Sequence, residues 1–412
     1  MLKILLINNY YYNRGGDCTY MFSLKELLEK KGHKVIIFSM NHPKNIDCDY
    51  SKYFVSHIDY SEEIKNKKIS SGIKVLRKTL YSGEAKKKIE ALIREEKPDL
   101  AHLQNIHHHI TPSIFRVLRR NKIPIVWTLH DYTIICPNTS FLARGEICEK
   151  CKKRKYYWPL LIRCKKNSLA ASAMAAFETV FHRLMKVYSL VDVFISPSIF
   201  LRNKFLEYGF KEEKIVHLGH FIDFPVVKER TTTDDYYLFV GRIAEEKGVK
   251  TLIDAAIKVD RSHLKIAGGG PLIEEMNTYV RKKDKNKIIE FLGHISRKEL
   301  RELYKRCKFI VVPSEWYENA GLIIFEAFAT GKSVIGARIG GIPELVKDEE
   351  RGLTFKAGDK EDLAETIGYL LNNPDLCEEM GENAKVFIEN EMNPLKHYFK
   401  LMEIYNRVLS KD

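Results

Sequence analysis

The chain's 412 residues suit two or three domains, and a 45% hydrophobic content is enough to bury substantial cores. No apolar run reaches the roughly 18 to 20 residues of a membrane span, and the opening MLKILLINNYYYN lacks a small-residue cleavage pattern, so a first strand and a cytoplasmic location are expected. The formal charge of +14 is lopsided, with 38 Lys and Arg against 22 Asp and Glu up to Pro225 and 30 against 32 after it. With no nucleic-acid motif in view, this excess reads either as a solvated Lys-rich surface or as attraction to an anionic membrane face or a phosphate-bearing acceptor.

Lys3 to Ile7 reads as a buried strand, followed by a loop that contains Arg14, Gly15 and Gly16. A helix from about Cys18 to Lys31 carries Met21, Leu24, Leu27 and Leu28 at helical spacing. Gly32 ends it, and Val35 to Phe38 is the next strand. Strand, glycine loop, helix and strand in that order open a doubly wound sheet. The glycine pair lets backbone approach a ligand at the helix N-terminus, or else makes a tight turn. From Tyr50 to Pro98 the chain is polar and Lys-rich, with helical patterns at Ile73–Leu80 and Ala85–Glu95. Asp99–Leu103 and Ile125–Leu129 are further buried strands. After the first comes Asn105-Ile106-His107-His108-His109, a polar loop expected to turn one histidine toward substrate. After the second comes His130-Asp131-Tyr132, and a histidine at the carboxyl end of a sheet strand is where such folds place ligand contacts. A structural histidine bonded to nearby backbone is the other reading.

An insertion at about 133–166 then interrupts the pattern. It holds Cys136, Cys148, Cys151 and Cys164, half of the eight cysteines. Cys148 and Cys151 have a metal-ligand spacing that the outer pair would complete as a tetrahedral structural zinc site; free thiols and disulfides are the alternatives, the last disfavoured by a reducing compartment. The basic run Lys150 to Lys155 leads into Tyr156-Tyr157-Trp158, which suits docking at a membrane interface or packs the insertion down. An Ala-rich helix at Ser168–Tyr188, a strand at Val191–Ile195, a helix capped by Ser196-Pro197-Ser198 and a strand at Ile215–Phe221 complete a first domain spanning 1–224. Polar Pro225–Asp235 reads as a linker.

The second domain, 225–391, restarts the same architecture. Strand Tyr237–Val240 runs into Gly241-Arg242 and on to Lys247-Gly248, placing two cations at a strand's carboxyl end, where they suit a diphosphate. A surface pairing with Glu245 and Glu246 is the alternative. Leu264–Ala267 ends in Gly268-Gly269-Gly270-Pro271, and Ile288–Leu292 ends in Gly293-His294-Ile295-Ser296. Phe309–Val312 leads into a helix from Gly321 to Ala329 that is apolar all round and expected to be buried, except for Glu326, whose burial demands a partner. Glu318 lies just ahead of that helix. The amides near Ala320, Gly321 and Leu322 sit at the positive end of its dipole, open to an anion. An anion site flanked by two carboxylates suits a ligand with both phosphate and hydroxyl groups, such as a nucleotide sugar. The last helix, Pro394–Leu409, carries Tyr398, Phe399, Met402, Tyr405 and Leu409 and must dock on something apolar.

On these residues the chain resembles a glycosyltransferase of family 4, in the retaining two-Rossmann (GT-B) class of bacterial polysaccharide-assembly type. The Glu-x7-Glu element matches as Glu318 and Glu326, and the Gly-Arg-x4-Lys-Gly element as Gly241, Arg242, Lys247 and Gly248. The Gly-His-Ile-Ser and Gly-Gly-x-Pro-Glu loops match as well, as do Arg14-Gly15-Gly16 and Thr128-Leu129-His130-Asp131 in the first half. The four-cysteine insertion is similar to one in a subset of such proteins.

The resemblance implies an α/β fold of two Rossmann-like doubly wound domains facing a cleft, with 392–412 as a helix returning to the first domain. It implies that Glu326 binds ribose hydroxyls, that Glu318 and Asn319 contact the donor sugar, and that amides near Ala320, Gly321 and Leu322 hold the sugar or distal phosphate. Arg242 and Lys247 would neutralise the leaving nucleoside diphosphate, the work a metal ion does in other transferases. Gly241 and Gly269 would line the donor loops, and His294-Ile295 would meet the base through backbone. Gly15 and Gly16 would approach the diphosphate from across the cleft, and His130 would sit beside the donor sugar on the acceptor side. The implied partners are a nucleotide-diphosphate sugar, a lipid-linked or saccharide acceptor and an anionic membrane surface, with no cofactor for catalysis and zinc in a structural role alone. Two other readings stand beside it: a sugar-nucleotide epimerase on the same fold, and a non-catalytic zinc-bearing membrane adaptor. The intact set of Arg242, Lys247, Glu318 and Glu326 argues against the adaptor, which has no need of those groups.

Overall fold

The computed structural model describes residues 1–57, 79–222, 232–259, 261–319 and 321–410. The helical pattern at Ile73–Leu80, most of the linker and Ala320 fall largely or wholly outside those residues. The first half builds β1 (Lys3–Ile7), α1 (Gly16–Lys30), β2 (Lys34–Phe38), α2 (Gly83–Glu96), β3 (Leu100–Leu103), α3 (Phe115–Arg120) and β4 (Ile125–Thr128). The insertion follows, with a small hairpin β5 (Leu142–Ala143) and β6 (Glu146–Ile147) and a short helix α4 (Trp158–Ile162). Then come α5 (Leu169–Leu184), β7 (Val193–Ser196), α6 (Ile199–Glu207) and β8 (Ile215–His217). The Ala-rich helix α5 stops short of Tyr188 because Lys186 takes left-handed backbone, φ 50°, and the chain tightens into a 3-10 turn over Val187–Leu190.

The second half builds β9 (Tyr236–Val240), α7 (Val249–Val259), β10 (His263–Ala267), α8 (Ile273–Lys283), β11 (Ile289–Gly293), α9 (Arg297–Arg306) and β12 (Ile310–Val312). It continues with α10 (Leu322–Ala329), β13 (Val334–Ala337), α11 (Ile342–Leu345), β14 (Gly352–Phe355), α12 (Lys360–Asn372), α13 (Pro374–Glu391) and α14 (Pro394–Leu409).

Near-continuous apolar runs such as ILLI and VIIF are what a parallel strand covered on both faces requires. The first sheet has the order β2-β1-β3-β4-β7-β8 and the second β11-β10-β9-β12-β13-β14, each parallel throughout. In both, the strand order reverses beside the opening strand: between β1 and β3, and between β9 and β12. Loops leaving the carboxyl ends at such a reversal diverge and open a crevice for ligand.

The first sheet alternates its side chains between two cores. Leu5, Ile7, Ile36 and Phe38 face one layer. Ile4, Leu6, Val35 and Ile37 face the other, and that layer is completed by Leu401, Tyr405 and Val408 from α14. The last helix therefore crosses from the second half of the chain back onto the first sheet. Its ring contacts are polar as well as apolar: Tyr405 Oη lies 2.6 Å from His102 Nδ1, His397 Nε2 lies 3.1 Å from Tyr20 Oη, and Tyr398 Oη lies 2.8 Å from His33 Nε2.

Candidate active site

The loops after β9 and β12 leave the second sheet at its reversal. Gly248 makes their close packing feasible. It takes φ +63°, and a Cβ there would lie 1.9 Å from the Pro313 carbonyl oxygen, so only glycine lets the two loops touch. The contact is tied by the Glu315 amide, which donates to Glu246 O at 2.9 Å. Lys247, held one residue before that glycine, reaches Glu318: its Nζ donates to Glu318 Oε2 at 2.7 Å. Trp316 Nε1 and Ser314 Oγ donate to the same oxygen at 2.7 and 3.2 Å. Burial pushes the Glu318 carboxyl up, but the Lys247 charge and these donors outweigh it and hold the group below the usual carboxylate range. Glu318 is thus an ionised carboxylate whose other oxygen faces no donor of this set. Arg242 is different. It is 64% exposed and its guanidinium lies 3.7 Å from Glu246, so the expected surface pairing forms for this cation and not for Lys247.

Glu326 lies on the partly covered side of α10, with Leu322 and Ile323, while Ile324, Phe325, Ala327 and Phe328 are buried. The helix is therefore not enclosed all round. The partner that the Glu326 carboxylate needs is Tyr304 of α9, whose hydroxyl donates to Oε2 at 2.9 Å. Burial still raises the Glu326 carboxyl, with Tyr304 and Arg297 offsetting part of the effect. Gly269 and His294 adjoin: a Cβ on Gly269 would lie 2.4 Å from the imidazole Nε2, and Gly269 O accepts from the Ile243 amide at 3.0 Å, just after Gly241 and Arg242. Ile295, partly buried, follows His294, which is exposed.

Two helix N-termini meet across the cleft. α10 starts after Gly321 and α1 after Gly15, and neither start is capped by a side chain. They come together at Gly16, where a Cβ would sit 3.0 Å from Leu322 Cδ1. Each uncapped start presents amides at the positive end of a helix dipole. His130, at the end of β4, places Nε2 2.6 Å from Gln104 Oε1. Its ring stacks on His220 at 5.4 Å, and Tyr20 leans on both. Burial drives its pKa down to about 4 against the pull of Asp17, so the imidazole is neutral at neutral pH. Gln104 and His220 escaped the sequence reading. Gln104 is the first residue past β3, a position the crevice rule marks, while nothing in the sequence around His220 distinguishes it.

Several bonds join the halves beside this point. Asn319 bridges Ser198 and the Leu129 carbonyl, accepting from Ser198 Oγ at 2.9 Å and donating at 3.3 Å. Tyr132 Oη donates to Tyr317 O at 3.1 Å. Glu344 accepts from the amides of Ile199, at 2.8 Å, and Phe200, and so caps α6 from the opposite domain. Asn319, Ser198, Ile199 and Glu344 border a cavity of about 220 Å³ that also touches His220 and His397.

The structure gives the zinc expectation no support. Cys136, Cys148, Cys151 and Cys164 are free thiols, and among the described residues no three His, Cys, Asp or Glu side chains converge as a metal would require. Burial raises the thiol pKa of Cys136, Cys151 and Cys164, with neighbouring cysteines adding to the effect, and Cys136 is pushed up to about 11. The neighbouring cations turn elsewhere, Lys152 to Glu207 and Lys150 to the Trp158 ring, so they do not hold the thiols as thiolates. The three histidines also diverge: His107 lies 3.3 Å from Tyr188 Oη, His108 3.5 Å from Glu178, and the His109 ring stacks on His57 at 5.6 Å.

Residues 14–224 match the family described as Glycosyltransferase Family 4, and residues 222–387 match Glycosyl transferases group 1. An uncharacterised glycosyltransferase of Methanocaldococcus jannaschii is 38% identical over 153 residues, 37% of this chain, which spans 43% of that relative's length. An uncharacterised 42.6 kDa protein in the cps region of Klebsiella pneumoniae is 25% identical over 360 residues, 84% of this chain and 87% of that one. Among solved structures, sucrose-phosphate synthase from Thermosynechococcus elongatus superposes with a TM-score of 0.73 at 18% identity, over 100% of both chains. Anabaena HepE in complex with UDP-glucose gives 0.68 at 14%, over 99% of this chain and 100% of that one. At those identities the likeness shows a shared two-domain fold.

Proposed function

The chain belongs to glycosyltransferase family 4, and from that premise we propose that it moves a sugar, with retained configuration, from a nucleotide-diphosphate donor to a lipid-linked or saccharide acceptor in cell-surface glycan synthesis. The observation that carries the reading is the Lys247–Glu318 pair in the loop that leads into α10, whose uncapped start meets that of α1 at Gly16. A diphosphate fits between opposed amide groups. A sugar fits against an ionised carboxylate that is already bonded to a cation. HepE binds UDP-glucose in the same fold, which supports a nucleotide sugar as the donor class.

Lys247 and Arg242 supply positive charge where the leaving diphosphate becomes more negative, so bond breaking is stabilised as it happens rather than before. The Gly321 and Leu322 amides, with Ala320 beside them, take the distal phosphate or the sugar, and Gly15 and Gly16 close on the diphosphate from the first domain. Glu318 and Asn319 take sugar hydroxyls, and Glu326 with Tyr304 takes the ribose. Gly241, Gly269, His294 and Ile295 form the base end. Neutral His130, its Nε2 turned to Gln104, offers Nδ1 to the acceptor side. Glu318 is held by Lys247 and so is not offered as a nucleophile. In the proposed step the acceptor hydroxyl attacks the anomeric carbon on the face the diphosphate leaves. The carbon–phosphate oxygen bond breaks as the new glycosidic bond forms, and the hydroxyl proton passes to the departing phosphate oxygen.

Thermal-shift titration with UDP, GDP, ADP and their sugars, followed by nucleotide release with acceptor present, tests the reading. The expected result is stabilisation by one nucleotide family, lost or weakened in Glu326→Ala and Lys247→Ala. No stabilisation by any nucleotide, with both variants behaving as wild type, would sink it. Donor consumption with no acceptor needed, giving an isomerised sugar, would favour the epimerase.

A further inference from the structure

Helix α5 is turned inside out. Its polar residues Ser172, Glu178, Thr179 and His182 are buried against the first domain, where Ser172 Oγ accepts from the Lys165 amide at 3.0 Å and His182 Nε2 lies 2.9 Å from Leu80 O. Three of its large apolar residues face outward, Leu169 50% exposed, Phe177 51% and Leu184 76%, and Met174, Val180 and Phe181 are only partly buried. A surface helix of a globular domain has the reverse arrangement. The neighbouring α4, which packs on α5, extends the same surface with Leu160 and Leu161 and, just ahead of it, Tyr157. Six of the thirteen exposed large apolar side chains among the described residues fall in this one stretch of 28 residues, so the clustering is not the ordinary scatter of surface leucines.

The charge around the patch decides what would cover it. From Lys150 to Lys186 the chain carries ten Lys and Arg and a single carboxylate, Glu178, which is buried. Lys153, Arg154, Lys155, Arg163, Lys166 and Lys186 are exposed. A second copy docking about a two-fold axis would set this basic rim against itself. A bilayer with anionic headgroups would do the opposite, taking the apolar side chains at the acyl boundary and pairing the rim with phosphates. Among the described residues no helix is long and apolar enough to cross a membrane, so the contact would lie in the interface plane.

We propose that the apolar face of α4 and α5, with its basic rim, is the surface by which this protein docks on an anionic lipid membrane. The proposal builds on the lipid-linked acceptor above and gives it a geometry. The insertion that carries α4 also reaches the catalytic loop, since Tyr317 Oη donates to Glu149 at 2.7 Å and Gly145 abuts Glu245. A membrane-lodged acceptor would then be held on the side of the cleft where the insertion meets Tyr317 and Glu318.

Cosedimentation of the full chain with vesicles tests this without using transfer. Phosphatidylcholine vesicles are compared with an equimolar mixture of phosphatidylcholine and phosphatidylglycerol. Partitioning is expected to rise about tenfold or more on the mixed vesicles and to fall as salt is raised. Phe177→Asp with Leu184→Asp should abolish binding at low salt, and Lys153→Glu with Lys155→Glu should weaken it, while both keep the wild-type nucleotide thermal shift. Equal binding to neutral vesicles, or undiminished binding by the Asp pair, overturns the proposal. So does a wild-type dimer in sedimentation that the Asp pair splits, which would make the patch an interface between copies. Vesicle binding without any nucleotide shift would instead strike the donor reading and leave this one standing.

Discussion

Lys247 is asked to do two things, and the chemistry of Glu318 separates them. As a partner it keeps a buried carboxylate ionised; as a cation in the cleft it meets the leaving diphosphate. Lys247→Ala is expected to lower kcat/KM for transfer by about 10²–10³, the size of a lost charge-stabilising group. It should also move the acid limb of the pH–rate profile upward, because burial, the largest influence on Glu318, would then be opposed only by the Trp316 and Ser314 hydrogen bonds. The linked stability has a definite sign. The folded pKa of Glu318 lies below its unfolded value, so its stabilisation is fully present above the usual carboxylate range and is lost as pH falls through the lowered value. A profile whose acid limb does not move in Lys247→Ala would show that the pair does not set the titration. At this scale the sequence was half legible. It showed that Glu326 needs a partner, because an ionisable group in an apolar helix is a physical contradiction. It did not reveal Tyr304, which lies 22 positions earlier on another helix and looks there like any core tyrosine.

Elements were easier to read than contacts. The alternation of apolar runs with glycine loops predicts two doubly wound sheets, and both form, because a parallel strand covered on both faces tolerates little else. The apolar stripe of α14 predicts that it docks on an apolar surface, and the family resemblance implies that this surface is the first domain. Its polar pairing could not be expected, since Tyr405 and His102 are 303 residues apart. Tyr405→Phe leaves the His102 Nδ1 buried without its partner and should cost about 1–3 kcal/mol in urea unfolding, whereas a purely apolar helix–sheet contact would leave the midpoint unchanged. Two features are not legible in the sequence. Cysteine spacing gives distance along the chain and not convergence in space, and the Ala-rich composition of α5 hides which face is buried.

The molecule as a whole rests on neutral histidines where its parts meet. His102, under α14, is pushed by burial to about 3, and His130 and His397 to about 4. An unfolded chain protonates these rings near pH 6.5, so their neutral burial stabilises the fold fully above that value and progressively less as pH falls toward 4. Urea midpoints taken at steps through that window should fall steadily, and the fall should shrink in His102→Gln. A flat series would mean that the rings are not held neutral. The same interface governs closure. Glu344 caps α6 across the cleft, and Asn319 and Tyr317 add four more bonds there, so polar contacts between the halves help to hold them together. A donor that bridges α1 and α10 adds its own free energy to theirs, about 2.7 kcal/mol at a hundred times its dissociation constant. Glu344→Ala removes the cap while leaving the donor loops untouched. Small-angle scattering should then give a larger radius of gyration for the free variant than for the free wild type, and saturating nucleotide should bring the two together. Equal radii without nucleotide would show that closure is held by packing and not by the cap, and would move the search for the hinge to α14.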